Sequence, residues 1–355
     1  MTGPSREPLP TEEVIKAVER RSPKRVPMVM CRWWGQGLHE EYGDRLKALE
    51  RYPEDASLAW VGSMDPASMG LSWYRPDETG RAKDAGGVIS DWKHLDEFIA
   101  KMPDPEAPGR FDEAKRVAED AHRADRYLLL GVWHFFFERP WFLRGMENLM
   151  LDYYLHPEEV HRMHEMLCDQ YEGLIRRAAR EIEPDGFSTS DDLGHQTQLM
   201  MKPAHFREFL KPYYARIGRV CRELGLHFWL HSCGNNTEIM EDLIETGVNV
   251  FHPVQKHTMD LASTARDFGD RMTFHVGFDV QQTLRWGSVD EVRAEVRSLV
   301  DTFDRDDGGM VLAAGNGIVG ETPFENIEAF LDESLRYGTA HRKRRKSETR
   351  NPKPD

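Results

Sequence analysis

No stretch of the 355 residues is apolar for long enough to cross a bilayer, which excludes a membrane-spanning helix. The start, Met1 to Pro10, is polar and lacks the basic-then-apolar order of a signal peptide, so a cytoplasmic location is expected. Cysteine is scarce. Cys31, Cys168, Cys221 and Cys233 are scattered too widely for a disulfide framework and read as reduced thiols. Basic residues are outnumbered, 47 to 61, and the formal charge of −14 excludes a general nucleic-acid binder. No glycine-rich phosphate loop follows a strand, because Gly308-Gly309 precedes one, and no Ser-His-Asp arrangement is evident.

What remains is a large globular chain with 39% hydrophobic and 30% charged residues. Residues 1–340 read as one domain, with an irregular extension and lid over about 1–110. There Trp33, Trp34, Trp60, Trp73, Tyr74 and Trp92 fall among Gly, Pro and Asp, either packing a lid or walling a pocket for a flat or apolar ligand. Gly80 to Trp92 resembles a small hairpin. Residues 341–355 hold seven Lys or Arg against two acids, a net of +5 that leaves −19 on the rest. They read as a disordered basic tail, with Gly338 ending the last helix.

Between these ends, strands alternate with helices. Val26–Met30, Ser57–Val61, Leu128–Val132, Gly186–Ser190, Leu226–Leu230, Val248–Phe251, Met272–Val276 and Met310–Ala313 make eight candidate strands. Helices of crossover length between them imply parallel pairing, and eight strands imply an α/β fold of the TIM (β/α)8 barrel type. Such barrels place their sites at the carboxyl ends of the strands, where Asp191, Asp192, His231, Cys233, His252, Gln255, Asp279 and Asn316 all fall. His134 and Glu138 end the run from Tyr127 and can also reach such a site.

Leu226 to Thr237 is the stretch around which the chain is organised. Alternation along a strand turns His231 and Cys233 to one side, and Asn236 suits the N-cap of the next helix, which Gly247 ends. A soft thiolate and a borderline imidazole suit zinc better than magnesium or calcium, but a catalytic zinc takes three protein ligands and this pair supplies two.

The motifs Ser190-Asp-Asp-Leu-Gly-His-Gln196, Lys202-Pro203, His231-Ser-Cys-Gly234, Phe251-His-Pro-Val-Gln255, Val276-Gly-Phe-Asp279 and Thr322-Pro-Phe-Glu-Asn326 occur in order. Together they resemble the uroporphyrinogen decarboxylase superfamily, and more closely its methyltransferase-like, corrinoid-dependent branch, over about Leu128 to Gly338. The resemblance implies a TIM barrel and zinc-assisted movement of a methyl group between a corrinoid and a thiol or small methylated, including methoxylated, substrate. Without an Asp-x-His-x-x-Gly cobalamin motif, the corrinoid is expected on a separate protein. A homodimer is compatible with the chain.

Two departures bear on chemistry. The arginine-rich stretch with which the decarboxylases hold porphyrinogen carboxylates is replaced by Met30-Cys-Arg-Trp-Trp-Gly-Gln-Gly37, and the Pro-Gly-Cys-Gly turn that completes the zinc site of the thiol methyltransferases by Ala314-Gly-Asn-Gly317. A third ligand must come from Asp191, Asp192, His252, His275 or Asp279. The adjacent pair is favoured, with Asp191 taken beside His231 and Cys233 as the metal set. Asp191, Asp192, Asp279 and Gln255 are the expected catalytic groups, and Trp33, Trp34, His134, Glu138, His252 and Asn316 the substrate or cofactor contacts. The competing readings are a metal-free decarboxylase or lyase on the same barrel, and a non-catalytic corrinoid- or porphyrin-binding barrel.

Overall fold

The computed structural model describes residues 4–62, 65–73 and 87–350. Tyr74 and most of the expected hairpin lie outside the described residues.

Seven parallel strands follow one another in chain order: β1 (Ala56–Trp60), β2 (Tyr127–Val132), β3 (Gly186–Ser190), β4 (His227–His231), β5 (Val250–His252), β6 (Thr273–Phe278) and β7 (Met310–Ala314). Residues 26–30, expected as a first regular strand, close the ring as an irregular stave. Leu312 donates to Pro27 O (2.9 Å), Val29 to Leu312 O (3.0 Å) and Ala314 to Met30 O (3.3 Å), while Asp55 on the other side donates to Met28 O (2.8 Å). Regular pairing fails there because Pro27 has no N–H and Met30 has a φ of 56°. The result is a TIM barrel with seven regular strands and one stave.

Inward-facing residues fill its lower half. Tyr127, Leu129, Trp229, Val250 and Val311 meet inside, and Val14 and Val18 of the helix Thr11–Val18 pack against them as a floor. Asp55 ties this end together by accepting the N–H groups of Leu9 and Met28 (2.7 Å each) and pairing with buried Arg25 (2.7 and 2.8 Å).

One local expectation is corrected in part. Asn236 sits at the N-cap of the 3-10 turn Thr237–Ile239, but its side chain makes no cap hydrogen bond. Its Nδ2 donates to the carbonyls of Ser232, Cys233 and Gly234 (3.1–3.2 Å), bracing the turn that carries Cys233. Gly247, with φ 99°, does end the following helix Met240–Thr246.

The basic segment is not a disordered tail up to residue 350. The last helix runs Phe324–Arg350, and Arg342 is fully buried, donating to the carbonyls of Arg305 (2.6 Å) and Pro23 (3.5 Å) and to Asp304 (3.4 Å). His341 also meets Asp304 (2.9 Å). Gly338 permits close approach instead of termination, since a Cβ there would sit 3.1 Å from Val26 Cβ. Among the described residues, no helix is long and apolar enough to cross a membrane.

Candidate metal centre

Parity along β3 and β4 builds the site. Ser190 pairs with His231 across the parallel ladder, so both face inward, and Asp192, two residues beyond Ser190, faces inward as well. Two glycines let the following loops touch backbone to backbone: a Cβ on Gly234 would lie 2.3 Å from Gly194, and one on Gly194 would lie 2.6 Å from Gly234. Gly194 donates to Cys233 O (3.2 Å), Leu193 to Ser232 Oγ (3.0 Å) and Cys233 to Asp192 Oδ1 (2.8 Å).

Asp192, His231 and Cys233 consequently converge, each offering a donor atom within 4.8 Å of the other two. His231 Nε2 lies 3.5 Å from Cys233 Sγ and 3.7 Å from Asp192 Oδ1. Donors on a tetrahedral zinc are separated by about 3.3–3.8 Å, given bonds of about 2.0–2.3 Å. One thiolate, one imidazole and one carboxylate at this spacing suit zinc and leave its fourth position open.

Asp191, expected as the third ligand, is not among the converging donors; Asp192 is. Asp191 has the opposite parity and points into the helix layer, fully buried, where it accepts from Tyr214 Oη (2.6 Å), Phe137 N (2.8 Å) and Glu138 N (2.7 Å). Burial pushes its carboxyl up to about 7 against those donors. It anchors the loop after β2 and does not reach the donors.

His252 orients His231. Their Nδ1 atoms are 2.7 Å apart, and His252 Nε2 lies 3.0 Å from Ala314 O. A carbonyl can only accept, so His252 carries its proton on Nε2 and, when neutral, offers an Nδ1 lone pair to a proton on His231 Nδ1. His231 Nε2 is thereby left with its lone pair toward Cys233 and Asp192. Burial lowers the pKa of His231, and burial with the neighbouring His275 and His231 lowers that of His252 well below the usual value. His275 is not a ligand. It bonds Val29 O through Nε2 (2.8 Å) and packs on His252.

Burial, then the charges of Asp192 and Glu138, push the Cys233 thiol far up, so its thiolate needs a cation. Gln255 Nε2 and Asn316 Nδ2 each lie 3.7 Å from Cys233 Sγ, and Gln255 Oε1 accepts from Gly234 N (2.9 Å). These two expected site residues are therefore at the sulfur, Asn316 as a donor to it. Asp279, ranked next among ligands, is engaged elsewhere, paired with Lys256 (3.0 Å) and accepting from Gln281 N and Gln282 N (3.0 Å each). Burial raises its carboxyl, but the backbone donors and Lys256 outweigh this and hold it well below the usual range.

Glu138 and His134 meet at Ser190, whose Oγ donates to Glu138 Oε2 (2.7 Å) and accepts from His134 N (3.1 Å). Burial, Asp192 and Asp191 push Glu138 up to about 8, so it holds a proton at neutral pH. Trp33 packs edge-on to His231, with 5.7 Å between centroids. Trp34 does not join it: its backbone bridges to Ile318 and its ring packs against the core. Trp133 is a site residue that the sequence motifs do not mark. Its ring lies 5.6 Å from His231, and its inward parity with Tyr127 and Leu129 is the signal that points to it.

A methylcobamide:CoM methyltransferase from Methanosarcina barkeri is 30% identical over 133 residues, 37% of this chain and 36% of that protein, and one from Methanosarcina mazei is 26% identical over 132 residues, 37% of each. The matched part thus spans about a third of these relatives. In three dimensions, a methyltransferase from Methanosarcina mazei superposes with a TM-score of 0.62 over 92% of this chain and 98% of its own at 17% identity, a likeness of fold. The uroporphyrinogen decarboxylase (URO-D) pattern matches residues 137–337, more than half of the chain. The chain belongs to the uroporphyrinogen decarboxylase family.

Proposed function

We propose that this chain transfers a methyl group between a corrinoid carried on a separate protein and a small methylated substrate or thiol, with zinc held by Asp192, His231 and Cys233. The observation that carries the reading is the convergence of those three donor atoms at the strand ends. The similar proteins named as methylcobamide:CoM methyltransferases support it. Zinc at these residues would supply Lewis acidity, activating a bound thiol or polarising a methoxy oxygen.

The chain's own groups have separate tasks. His252 fixes the His231 tautomer through their 2.7 Å contact, and the Gln255 and Asn316 amides steady the sulfur. Trp33 and Trp133 exclude water from one side of His231. When a carbon–oxygen bond to methyl breaks, the electron pair stays on oxygen, and the Glu138 carboxyl, hydrogen-bonded to Ser190 Oγ, is the group beside Asp192 that could supply that oxygen with a proton.

Anaerobic incubation with cob(I)alamin and a panel of methylated thiols and methoxy compounds, beside elemental analysis, tests this. Stoichiometric zinc and methylcobalamin formation are expected. A metal-free protein that forms no methylcobalamin would favour the lyase on the same barrel.

A further inference from the structure

Gln255 and Asn316 reach the Cys233 sulfur from two different loops, after β5 and after β7, and both present the same group to it. Gln255 Nε2 and Asn316 Nδ2 each lie 3.7 Å from Cys233 Sγ, the longer separation that the radius of sulfur requires. Each amide is oriented by its own oxygen. Gln255 Oε1 accepts from Gly234 N (2.9 Å) and Asn316 Oδ1 from Gly317 N (2.7 Å), so neither oxygen can turn to the sulfur without leaving a backbone N–H bare.

The backbone under both amides is fixed. A Cβ on Gly277 would lie 2.5 Å from Pro253 Cβ and 2.6 Å from Gly315 Cα, and one on Gly315 would lie 2.7 Å from Phe278 O, so the loops after β5, β6 and β7 pack directly on one another. Thr258 N and Met259 N both donate to Gln255 O (3.0 Å each). The next side chain, Lys256, pairs with Asp279 (3.0 Å) and donates to Thr283 Oγ1 (2.6 Å).

Methyl transfer puts Cys233 itself at risk. A thiolate is a strong nucleophile toward a methyl carbon, and this one is only half-buried, so bulk does not protect it. Attack by Sγ would form a carbon–sulfur bond, expel the leaving group with its electron pair and replace an anionic ligand by a neutral thioether. The site would then be spent.

Resting on the methyl-transfer reading, we propose that the Gln255 and Asn316 amides keep Cys233 from taking the methyl group, so that its sulfur serves as ligand and not as acceptor. A hydrogen bond to a charged acceptor is stronger than one to a neutral acceptor, so the two N–H groups stabilise the thiolate over its methylated product. The lone pairs that would attack carbon are thereby held back. Amides suit this task, because they donate to a thiolate without surrendering a proton to it.

Methyl iodide applied to the zinc-loaded full chain tests the assignment, with methylation of Cys233 followed by mass spectrometry and zinc measured on the same samples. The other three thiols are buried, which leaves Cys233 as the reacting one. Asn316→Ala and Gln255→Met are each expected to react about tenfold faster than the native protein at full zinc. Asn316→Leu restores bulk without an N–H and is expected to react as fast as Asn316→Ala. With cobalt(II) in place of zinc, the sulfur-to-metal charge-transfer band should move to longer wavelength in all three, because lone pairs freed of hydrogen bonds lie higher in energy. If Gln255→Met does not fold, the exposed Asn316 still decides. Equal rates in native and variant proteins, a slow Asn316→Leu beside a fast Asn316→Ala, or loss of zinc from both Asn316 variants would overturn the role given to the amides. Faster methylation in the variants, with no transfer from any donor to cob(I)alamin by the native protein, would overturn the methyl-transfer reading alone. A chain that takes up neither metal would overturn the metal set and the role of the amides with it.

Discussion

The Nδ1 atoms of His231 and His252 face each other at 2.7 Å, and the Ala314 carbonyl at the far side of His252 decides which of them holds the proton. This contact aims the remaining lone pair of His231 at the donor set. Replacing His252 with Ala removes the orienting acceptor without touching a donor atom. Zinc affinity measured by chelator competition is expected to fall about 10- to 100-fold. An unchanged affinity would show that His231 is oriented by other means.

Gly194 and Gly234 allow the two donor-bearing loops to meet. An alanine at Gly194 puts a methyl group within 2.6 Å of the Cys233 carbonyl, and backbone there cannot swing aside as a side chain can. Gly194→Ala is expected to lose zinc while keeping its far-ultraviolet circular dichroism. Full zinc retention would mean that Asp192 need not approach through this contact.

These two relationships mark the limit of what the sequence discloses. Period-two alternation is a property of one strand, so the pairing of His231 with Cys233 is legible in the sequence alone. Choosing between Asp191 and Asp192 needs the register Ser190 opposite His231, which belongs to two strands and leaves no mark on either alone. With that register, parity excludes Asp191. The ring of strands is legible from apolar runs, but the stave is not, because Pro27 and Met30 break the ladder without breaking the apolar pattern.

The end of the last helix is hidden in the sequence for a similar reason. Lys and Arg in succession look solvated, yet Arg342 is buried against Asp304, 38 residues away in sequence. Arg342→Ala leaves Asp304 with His341 and one fewer cation in a dry place, and is expected to cost on the order of 3 kcal/mol in urea unfolding. Removing residues 345–355 is expected to leave stability unchanged. An Arg342→Ala protein as stable as the native one would contradict the packing.

Two buried histidines that carry no donor atom, His164 and His275, lower stability toward acid. Burial lowers His164 and His275 to about 4, against a usual value near 6.5. The folded state therefore takes up protons less readily than the unfolded one, so their contribution is fully present above about pH 6.5 and is lost as pH falls toward 4. By pH 5 each accounts for about 2 kcal/mol of lost stability. Raised carboxyls such as Glu138 and Asp191 move stability the opposite way, so the test is a difference: in urea unfolding His164→Gln should keep a constant offset from the native protein from pH 8 to 7 and gain on it below 6.5, by about 2 kcal/mol at pH 5. A constant offset from pH 8 down to 4.5 would contradict this.

The proposed zinc set is tested most directly by zinc content and zinc X-ray absorption on anaerobically purified protein. One zinc per chain with one sulfur and the remaining ligands nitrogen or oxygen is expected, because Cys233 is the one thiol among the converging donors and an amide, Asn316, lies 3.7 Å from its sulfur. Cys233→Ala and Asp192→Ala should lose the metal to a similar degree, and Asp191→Ala should keep it. Full zinc in Asp192→Ala, or loss confined to Asp191→Ala, would contradict the assignment of Asp192, His231 and Cys233.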